Sequence, residues 1–310
     1  MKIVFLDAAT MGNVSFEPFE RLGEFVSYQT STPEEARERV KDADVMMINK
    51  VLVNQELIDA APELKLICVA ATGVNNIDVD YAASKGIPVR NVAGYSTDSV
   101  AQSTFMHILS LAGGAPYFDA SVKSGSYSRS GMFTDPNWNW TELAGKTIGI
   151  IGLGNIGKKV AKIAEAFGMD VCYYSTSGTA HCQDYPCLSL EDLLRRSDIV
   201  SVHAPLNDRT LNLLGAKEFA LMKPTAYVVN MGRGAIIVEA DLAAAVDNGT
   251  IAGAGIDVFV HEPIPEDHPY LTMKHPERMR LAPHVAWASV EARTRLVSMM
   301  ADNVRKGFQH

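Results

Sequence analysis

The sequence predicts an α/β protein made of two doubly wound parallel-sheet domains, and three observations carry that expectation. Short apolar runs alternate with helical stretches along almost the whole chain, the pattern of parallel strands covered by helices. Several of those runs lack strict polar–apolar alternation, as expected of strands buried on both faces. At 310 residues the chain is also long for one compact core, which favours two domains.

The strand candidates of the first part are 2–7, 25–29, 45–50, 64–71 and 88–92. Those of the second are 147–153, 171–175, 199–204, 226–231, 255–259 and 280–283. A weak internal echo relates the two parts. Thr32-Pro-Glu-Glu-Ala, leading to Ala43-Asp44-Val-Met-Met-Ile, parallels Ser189-Leu-Glu-Asp-Leu, leading to Ser197-Asp198-Ile-Val-Ser-Val. Each reads as a capped acidic helix start, a short helix, then an Asp that opens a strand. The echo speaks for architecture and is silent on chemistry. The boundary is expected between Val92 and a helix at 98–111, in which Val100, Phe105, Ile108 and Leu109 stand among small residues. The Gly- and Ser-rich stretch 113–131, with the segment 133–140 after it, is long for a plain connection and reads as an oligomer arm. Trp138 and Trp140 fit an apolar contact in a homodimer. The amphipathic segment 289–308 is expected to return to the first domain.

Composition excludes several classes of function. Hydrophobic residues make up 47% and charged residues 21%, which is ordinary for a globular chain and not for a disordered one. A net charge of -8 argues against nucleic acid or an anionic membrane as partner, since both require a basic face. No apolar run approaches the ~18 residues that span a bilayer. Met1-Lys-Ile-Val-Phe-Leu-Asp7 reads as a buried first strand and not as a signal peptide. Cys68, Cys172, Cys182 and Cys187 have no metal-ligand spacing and read as free thiols of a reducing cytoplasm. His261, His268 and His275 fall in a Pro-rich loop without helical metal spacing, so no metal site is expected.

Thr147-Ile-Gly-Ile-Ile-Gly152-Leu-Gly154-Asn-Ile-Gly157 contains Gly-x-Gly-x-x-Gly after an apolar strand and before a helical run. In that context the first glycine makes a tight turn, the second lets backbone approach a pyrophosphate, and the third lets helix and strand pack closely. The helix start then faces the anion with unpaired N–H groups. Dinucleotide binding is therefore expected. The strand that follows runs into Ser175-Thr-Ser-Gly178, where neither a ribose-binding acid nor a phosphate-binding arginine stands. The loop thus carries the mark of neither cofactor, and NAD is slightly favoured over NADP.

From Ala71 onward the chain resembles the D-2-hydroxyacid dehydrogenase family. The resemblance is carried by Ala71-Thr72-Gly73-Val-Asn-Asn-Ile-Asp78, Asn91-Val-Ala-Gly-Tyr-Ser-Thr-Asp-Ser-Val-Ala-Gln102 and Glu142-Leu-Ala-Gly-Lys-Thr-Ile-Gly. Val229-Asn-Met-Gly-Arg233-Gly, Gly255-Ile-Asp257-Val-Phe-Val-His-Glu262-Pro and Pro283-His284-Val-Ala-Trp287 complete it. The resemblance implies a Rossmann-type cofactor domain, residues 102–284, inserted into a flavodoxin-like substrate domain of residues 1–101 and 285–310, with the cleft at their junction. It also implies hydride transfer between a nicotinamide cofactor and a small D-2-hydroxy or 2-keto acid. The segment 91–102, which resembles the family's interdomain hinge, and Trp287 are most similar to the glycerate dehydrogenase and hydroxypyruvate reductase branch, so glycerate/hydroxypyruvate or glyoxylate is the implied substrate. By the same resemblance Thr72 and Gly73 contact substrate or nicotinamide, Trp287 lies beside the substrate, and Ser103 or Thr104 lies near the cofactor. Asn155 and Ile156 meet the pyrophosphate, Asp257 the carboxamide region, and Ala204, Met231 and Gly232 add cofactor contacts. The family's ribose acid falls on Ser175, where this chain departs from the pattern.

The residue types suit the implied reaction. An arginine grips a carboxylate with two hydrogen bonds, and Arg233 follows a strand at the edge where open α/β sheets place ligand contacts. His284, also after a short strand, is the expected proton donor, and Glu262 its expected partner, since a carboxylate neighbour favours imidazolium and fixes the ring. His203 stands at the end of a strand and reads equally as a buried histidine or a cofactor neighbour, while His107 reads as packing. Two other functions use the same residues. One is an NAD-sensing binding protein akin to corepressors that resemble the family, which the acidic balance disfavours. The other is a dehydrogenase of another small anion such as phosphite.

Overall fold

The computed structural model describes residues 1–308. The chain forms two compact units, one of Met1–Ser96 with the C-terminal segment from Trp287, the other of Thr97–Ala286. Among the described residues no helix is long and apolar enough to cross a membrane.

In the first unit five strands, β1 (Lys2–Phe5), β2 (Glu24–Ser27), β3 (Val45–Ile48), β4 (Leu66–Val69) and β5 (Val89–Arg90), pair in parallel in the order β2-β1-β3-β4-β5. This is the flavodoxin-type order, which reverses between β1 and β3. Successive strand residues point to opposite faces. Ile3, Phe5, Val45, Met47, Leu66 and Cys68 enter one apolar layer, and Val4, Met46, Ile48, Ile67 and Val69 the other. The helix Val290–Phe308 closes the first layer with Leu296, Val297, Met300 and Val304, which recur at helical spacing. Burying each large apolar side chain of these layers stabilises the unit by roughly 1.5–3 kcal/mol.

The second unit carries β6 (Thr147–Ile151), β7 (Asp170–Tyr174), β8 (Ile199–Val202), β9 (Tyr227–Asn230), β10 (Gly253–Ile256) and β11 (Met279–Leu281). All pair in parallel, in the order β11-β10-β9-β8-β6-β7. A single parallel bridge, Tyr173 with Cys187, stands outside β7 where a further strand of a Rossmann sheet would lie. The chain reverses direction across the sheet between β6 and β8, so the open carboxyl edge there is the ligand position of this fold class. One face is covered by Leu193, Leu214, Leu242 and Val246 over Val200, Val202, Val228 and Ile256. The helices Thr97–Gly113 and Asn155–Ala166 pack on each other beside this sheet, and Phe105 stacks on Phe167 at 5.4 Å.

All eleven expected strands form; ten are somewhat shorter than their apolar runs, and β7 keeps its length but starts one residue earlier. The stretch after Gly113, expected to be an oligomer arm, has secondary structure of its own. It folds into two helices, Ala115–Lys123 and Ser126–Ser130, neither with a buried residue. The segment is organised on itself: Trp138 stacks on Tyr117 at 5.1 Å, and Asp135 accepts from Ser121 Oγ at 2.7 Å.

Candidate active site

The first part of the site is a cradle at the end of β6. Gly152 turns at φ +89°, in the region that favours glycine, and a Cβ there would lie 2.8 Å from the Ala204 backbone. The loops after β6 and β8 therefore meet with no side chain between them. A Cβ on Gly157 would lie 2.4 Å from the Gly152 carbonyl oxygen, so helix Asn155–Ala166 rests directly on the turn. Gly154, by contrast, faces open space and caps the helix without a side-chain acceptor. The first N–H groups of the helix, those of Asn155 and Ile156 among them, are left for an anion at the positive end of the helix dipole. Ala204, Met231 and Gly232 are buried, and a Cβ on Gly232 would stand 3.0 Å from the Ala204 carbonyl oxygen. An open glycine, an uncapped helix start and a floor of small residues fit the pyrophosphate of a dinucleotide.

Around the cradle the polar residues differ in what they can offer. Thr104 is fully buried and its hydroxyl bonds the Val100 carbonyl, so it is committed to its own helix. Ser103 Oγ is buried and has no partner among the described residues. Ser175 is buried, with its hydroxyl on the Thr179 carbonyl at 2.6 Å and beside Ser177 Oγ at 2.9 Å. His203 Nε2 meets Ser201 Oγ at 2.8 Å, its Nδ1 is buried without a partner among the described residues, and burial pushes its pKa down to about 3. It is a neutral ring. His107 is buried with both ring nitrogens unpartnered among the described residues, against Gly255.

The second part lies at the carboxyl ends of three adjacent strands. Arg233 follows β9, Asp257 and Glu262 follow β10, and His284 follows β11. Adjacency in the sheet brings together residues far apart in sequence. His284 Nδ1 and Glu262 Oε2 are 2.7 Å apart, while Glu262 Oε1 accepts the Phe259 N–H at 3.0 Å. The carboxylate is thus fixed at one oxygen and bound to imidazole at the other. His284 adopts φ 53°, an uncommon conformation for a residue with a side chain. Its N–H bonds the Asp257 carbonyl at 2.7 Å, which holds that conformation. The Asp257 carboxylate accepts the N–H groups of Val285 (2.8 Å) and Ala286 (3.0 Å) and so ties the loop after β11 to β10. Burial holds this carboxyl above the ordinary carboxylate range, against the opposing pull of those two N–H groups.

Arg233 is exposed, and its Nη1 touches the Gly232 carbonyl at 2.8 Å. Its loop is clamped by Asn230, which is buried, accepts the Gly232 N–H at 2.9 Å and donates to the Arg233 carbonyl at 3.0 Å. Sequence reasoning assigned Asn230 no role, although an amide at the last residue of a strand is the signal to look for. Gly234 lets this loop reach the next, because a Cβ there would lie 2.0 Å from the Phe259 carbonyl carbon. A buried pair, His268 with Glu239 at 3.0 Å, braces the same loop, since Glu239 also accepts the Val260 N–H.

The remaining expected residues lie in the first unit. Thr72 and Gly73 follow β4, with Thr72 Oγ1 donating to the Val92 carbonyl at 3.0 Å and Asn91 donating to the Thr72 carbonyl at 2.6 Å. Trp287 is half-buried and meets Tyr95 edge to face at 6.4 Å.

This geometry agrees with what the chain is similar to. The family model described as D-isomer specific 2-hydroxyacid dehydrogenase, NAD binding domain, matches residues 105–286. Glycerate dehydrogenase of Methylorubrum extorquens is 36% identical over 98% of this chain and 95% of that one. Glyoxylate reductase of Aeropyrum pernix is 39% identical over 89% of this chain and 83% of its own. Among solved structures, an NADPH-dependent glyoxylate/hydroxypyruvate reductase from Sinorhizobium meliloti, in complex with citrate, superposes with a TM-score of 0.85 at 29% identity, covering 99% of this chain and 95% of that one. The chain belongs to the D-isomer specific 2-hydroxyacid dehydrogenase family, and is an NAD(P)-dependent oxidoreductase.

Proposed function

We propose that the protein reduces glyoxylate or hydroxypyruvate to the corresponding 2-hydroxy acid, with Arg233, Glu262 and His284 as its catalytic residues. The observation that carries this reading is the 2.7 Å Glu262–His284 pair beyond β10 and β11, with Arg233 beyond β9, the other neighbour of β10. The relatives named for glycerate and glyoxylate support the substrate class. Reduction of a keto acid needs a hydride, which a bound reduced nicotinamide supplies. Arg233 binds the substrate carboxylate through its planar fork, and this fixes which carbon is presented. With Nδ1 held by Glu262, His284 Nε2 is the atom that passes a proton to the carbonyl oxygen. Glu262 stabilises the imidazolium that gives this proton, and Phe259 N–H keeps the carboxylate in place. Asp257 positions the histidine through the backbone it binds. Thr72, Gly73 and Trp287 are proposed as substrate contacts, and Ser103, whose hydroxyl has no partner among the described residues, as a cofactor contact.

A homodimer through the segment after Gly113 is part of the same proposal. Phe133 is 93% exposed and Trp140 60%, in a segment whose helices bury nothing of their own. Four free thiols support a cytoplasmic setting. The test is a matrix of glyoxylate, hydroxypyruvate, pyruvate and phenylpyruvate against NADH and NADPH. The highest kcat/KM is expected for the first two acids; absence of turnover with every acid would reject the reading.

A further inference from the structure

We infer that Arg209 binds the 2′-phosphate of NADPH and makes this protein NADPH-preferring. The inference rests on the dinucleotide cradle of the proposed function and concerns the cofactor's adenosine end. In this fold class the residue at the end of the second strand discriminates the two cofactors: an acid there bonds the ribose hydroxyls and repels a phosphate. Here that residue is Ser175, just beyond β7, and its hydroxyl is turned onto its own loop. No carboxylate occupies the position. The loop 175–182 is tied back to the glycine turn by His181, whose Nε2 meets the Leu153 carbonyl at 3.1 Å.

A cation reaches this loop from elsewhere in the sheet. Arg209 stands in the turn after β8 and donates from Nη1 to the Ser177 carbonyl at 2.6 Å, 32 residues away along the chain. The turn is built to hold it. Asn207 Oδ1 accepts the Arg209 N–H at 2.9 Å, and the buried Thr210 anchors the turn with Oγ1 on the Pro205 carbonyl at 2.6 Å. Arg209, Thr176, Ser177, Pro205, Asn207 and Asp208 enclose an open depression of about 330 Å³. Among the described residues no carboxylate forms an ion pair with Arg209. A guanidinium has five N–H donors, and the Ser177 carbonyl engages one of them here. The others, with the Thr176 and Ser177 hydroxyls, form a site for a tetrahedral dianion. Asp208 is the one acid of the lining, and its charge moderates the preference.

The test measures binding of adenosine 2′,5′-bisphosphate and of AMP by calorimetry, with no turnover needed. The wild type is expected to bind the bisphosphate at least tenfold more tightly. Arg209→Ala should bring the two Kd values within about twofold while AMP binding holds, Arg209→Lys should restore part of the difference, and Asp208→Asn should widen it. Equal binding of the two nucleotides by the wild type, or discrimination that survives in Arg209→Ala, overturns the inference and leaves the dehydrogenase reading standing. Failure of the wild type to bind either nucleotide, NADH or NADPH removes the cofactor site itself, and both readings fall.

Discussion

In the first sheet Lys2, at the start of β1, donates its N–H to Asp44 at 2.8 Å; in the second, Thr147, at the start of β6, donates to Asp198 at 2.9 Å. Each aspartate opens the neighbouring strand, and each is paired with a lysine, Lys65 at 2.7 Å or Lys223 at 2.9 Å. Lys65 and the Lys2 N–H hold the Asp44 carboxyl below the usual range. Burial works to raise Asp198, and its bonds to Lys223 and Thr147 outweigh it, so that carboxyl is lowered as well. The helices before both strands start on capped hydroxyls, Thr32 and Ser189. At the amino edge the two sheets are built alike. At the carboxyl edge they part. Five residues after the start of β1 stands Asp7, and at the same distance from the start of β6 stands Gly152. Asp7 fills its switch point, its carboxylate accepting the N–H groups of Asn49 (2.7 Å), Lys50 (2.5 Å) and Val51 (2.9 Å). Gly152 leaves its switch point open, with helix N–H groups unspent. One scaffold thus carries a built-in anion where it is structural and an uncapped helix start, suited to a ligand's anion, where it binds the dinucleotide.

Exchanging the two residues should break this difference most severely. Gly152→Asp forces a side chain into φ +89° and against Ala204, and puts negative charge where the pyrophosphate belongs. Nucleotide affinity is expected to fall by about a hundredfold or more, on the order of 2.7 kcal/mol, with the fold retained by circular dichroism. Binding within tenfold of wild type would show that the crevice does not need the glycine. The reverse change, Asp7→Ala, leaves three backbone N–H groups without their acceptor. A loss of about 3 kcal/mol is expected in denaturant unfolding, because charge-assisted hydrogen bonds are each worth ~1.5–3 kcal/mol and nearby water makes good part of the loss.

A smaller effect separates the next strand ends. The residue just after β3 is Asn49, whose Nδ2 donates to Thr10 Oγ1 at 2.6 Å; its counterpart after β8 is His203, held neutral by burial at a pKa of about 3. An unfolded histidine takes up a proton below about pH 6.5, whereas the folded one does not until near its lowered value. Folding stability should therefore fall as pH falls between those limits, with a slope of at most ~1.4 kcal/mol per pH unit from this residue. His203→Asn, which installs the first sheet's residue, should flatten the stability profile between about pH 6 and pH 4. Coincident profiles for the two proteins would mean that the ring is protonated in the fold.

The sequence was readable where one physical rule acts locally. Runs such as Val45–Ile48 and Ile199–Val202 are apolar throughout because both faces of their sheets are covered, and the glycine turn follows its strand directly. Glu262 and His284 each stand a few residues beyond a strand, and because β10 and β11 are adjacent the two side chains meet; Arg233 stands beyond β9 at the same edge of the sheet. What escaped depends on contacts between loops. Arg209 meets Ser177 only because β7 and β8 flank β6, so the sequence of the β7 loop alone leans to NAD. Asp7 reads as the last residue of a strand until Asn49, Lys50 and Val51 are folded around it. The helices after Gly113 bury none of their residues, so no core-facing stripe marks them in the sequence.

The proposed proton donor is tested most directly by the single-turnover rate of His284→Ala with glyoxylate and saturating reduced cofactor, read beside the variant's cofactor Kd. General acid–base groups contribute typically ~10²–10⁴-fold, so the rate should fall by about a thousandfold while the Kd stays within about threefold of wild type. A rate within tenfold of wild type would contradict the assignment, since the proton would then reach the carbonyl oxygen by a route that does not involve the Glu262–His284 pair.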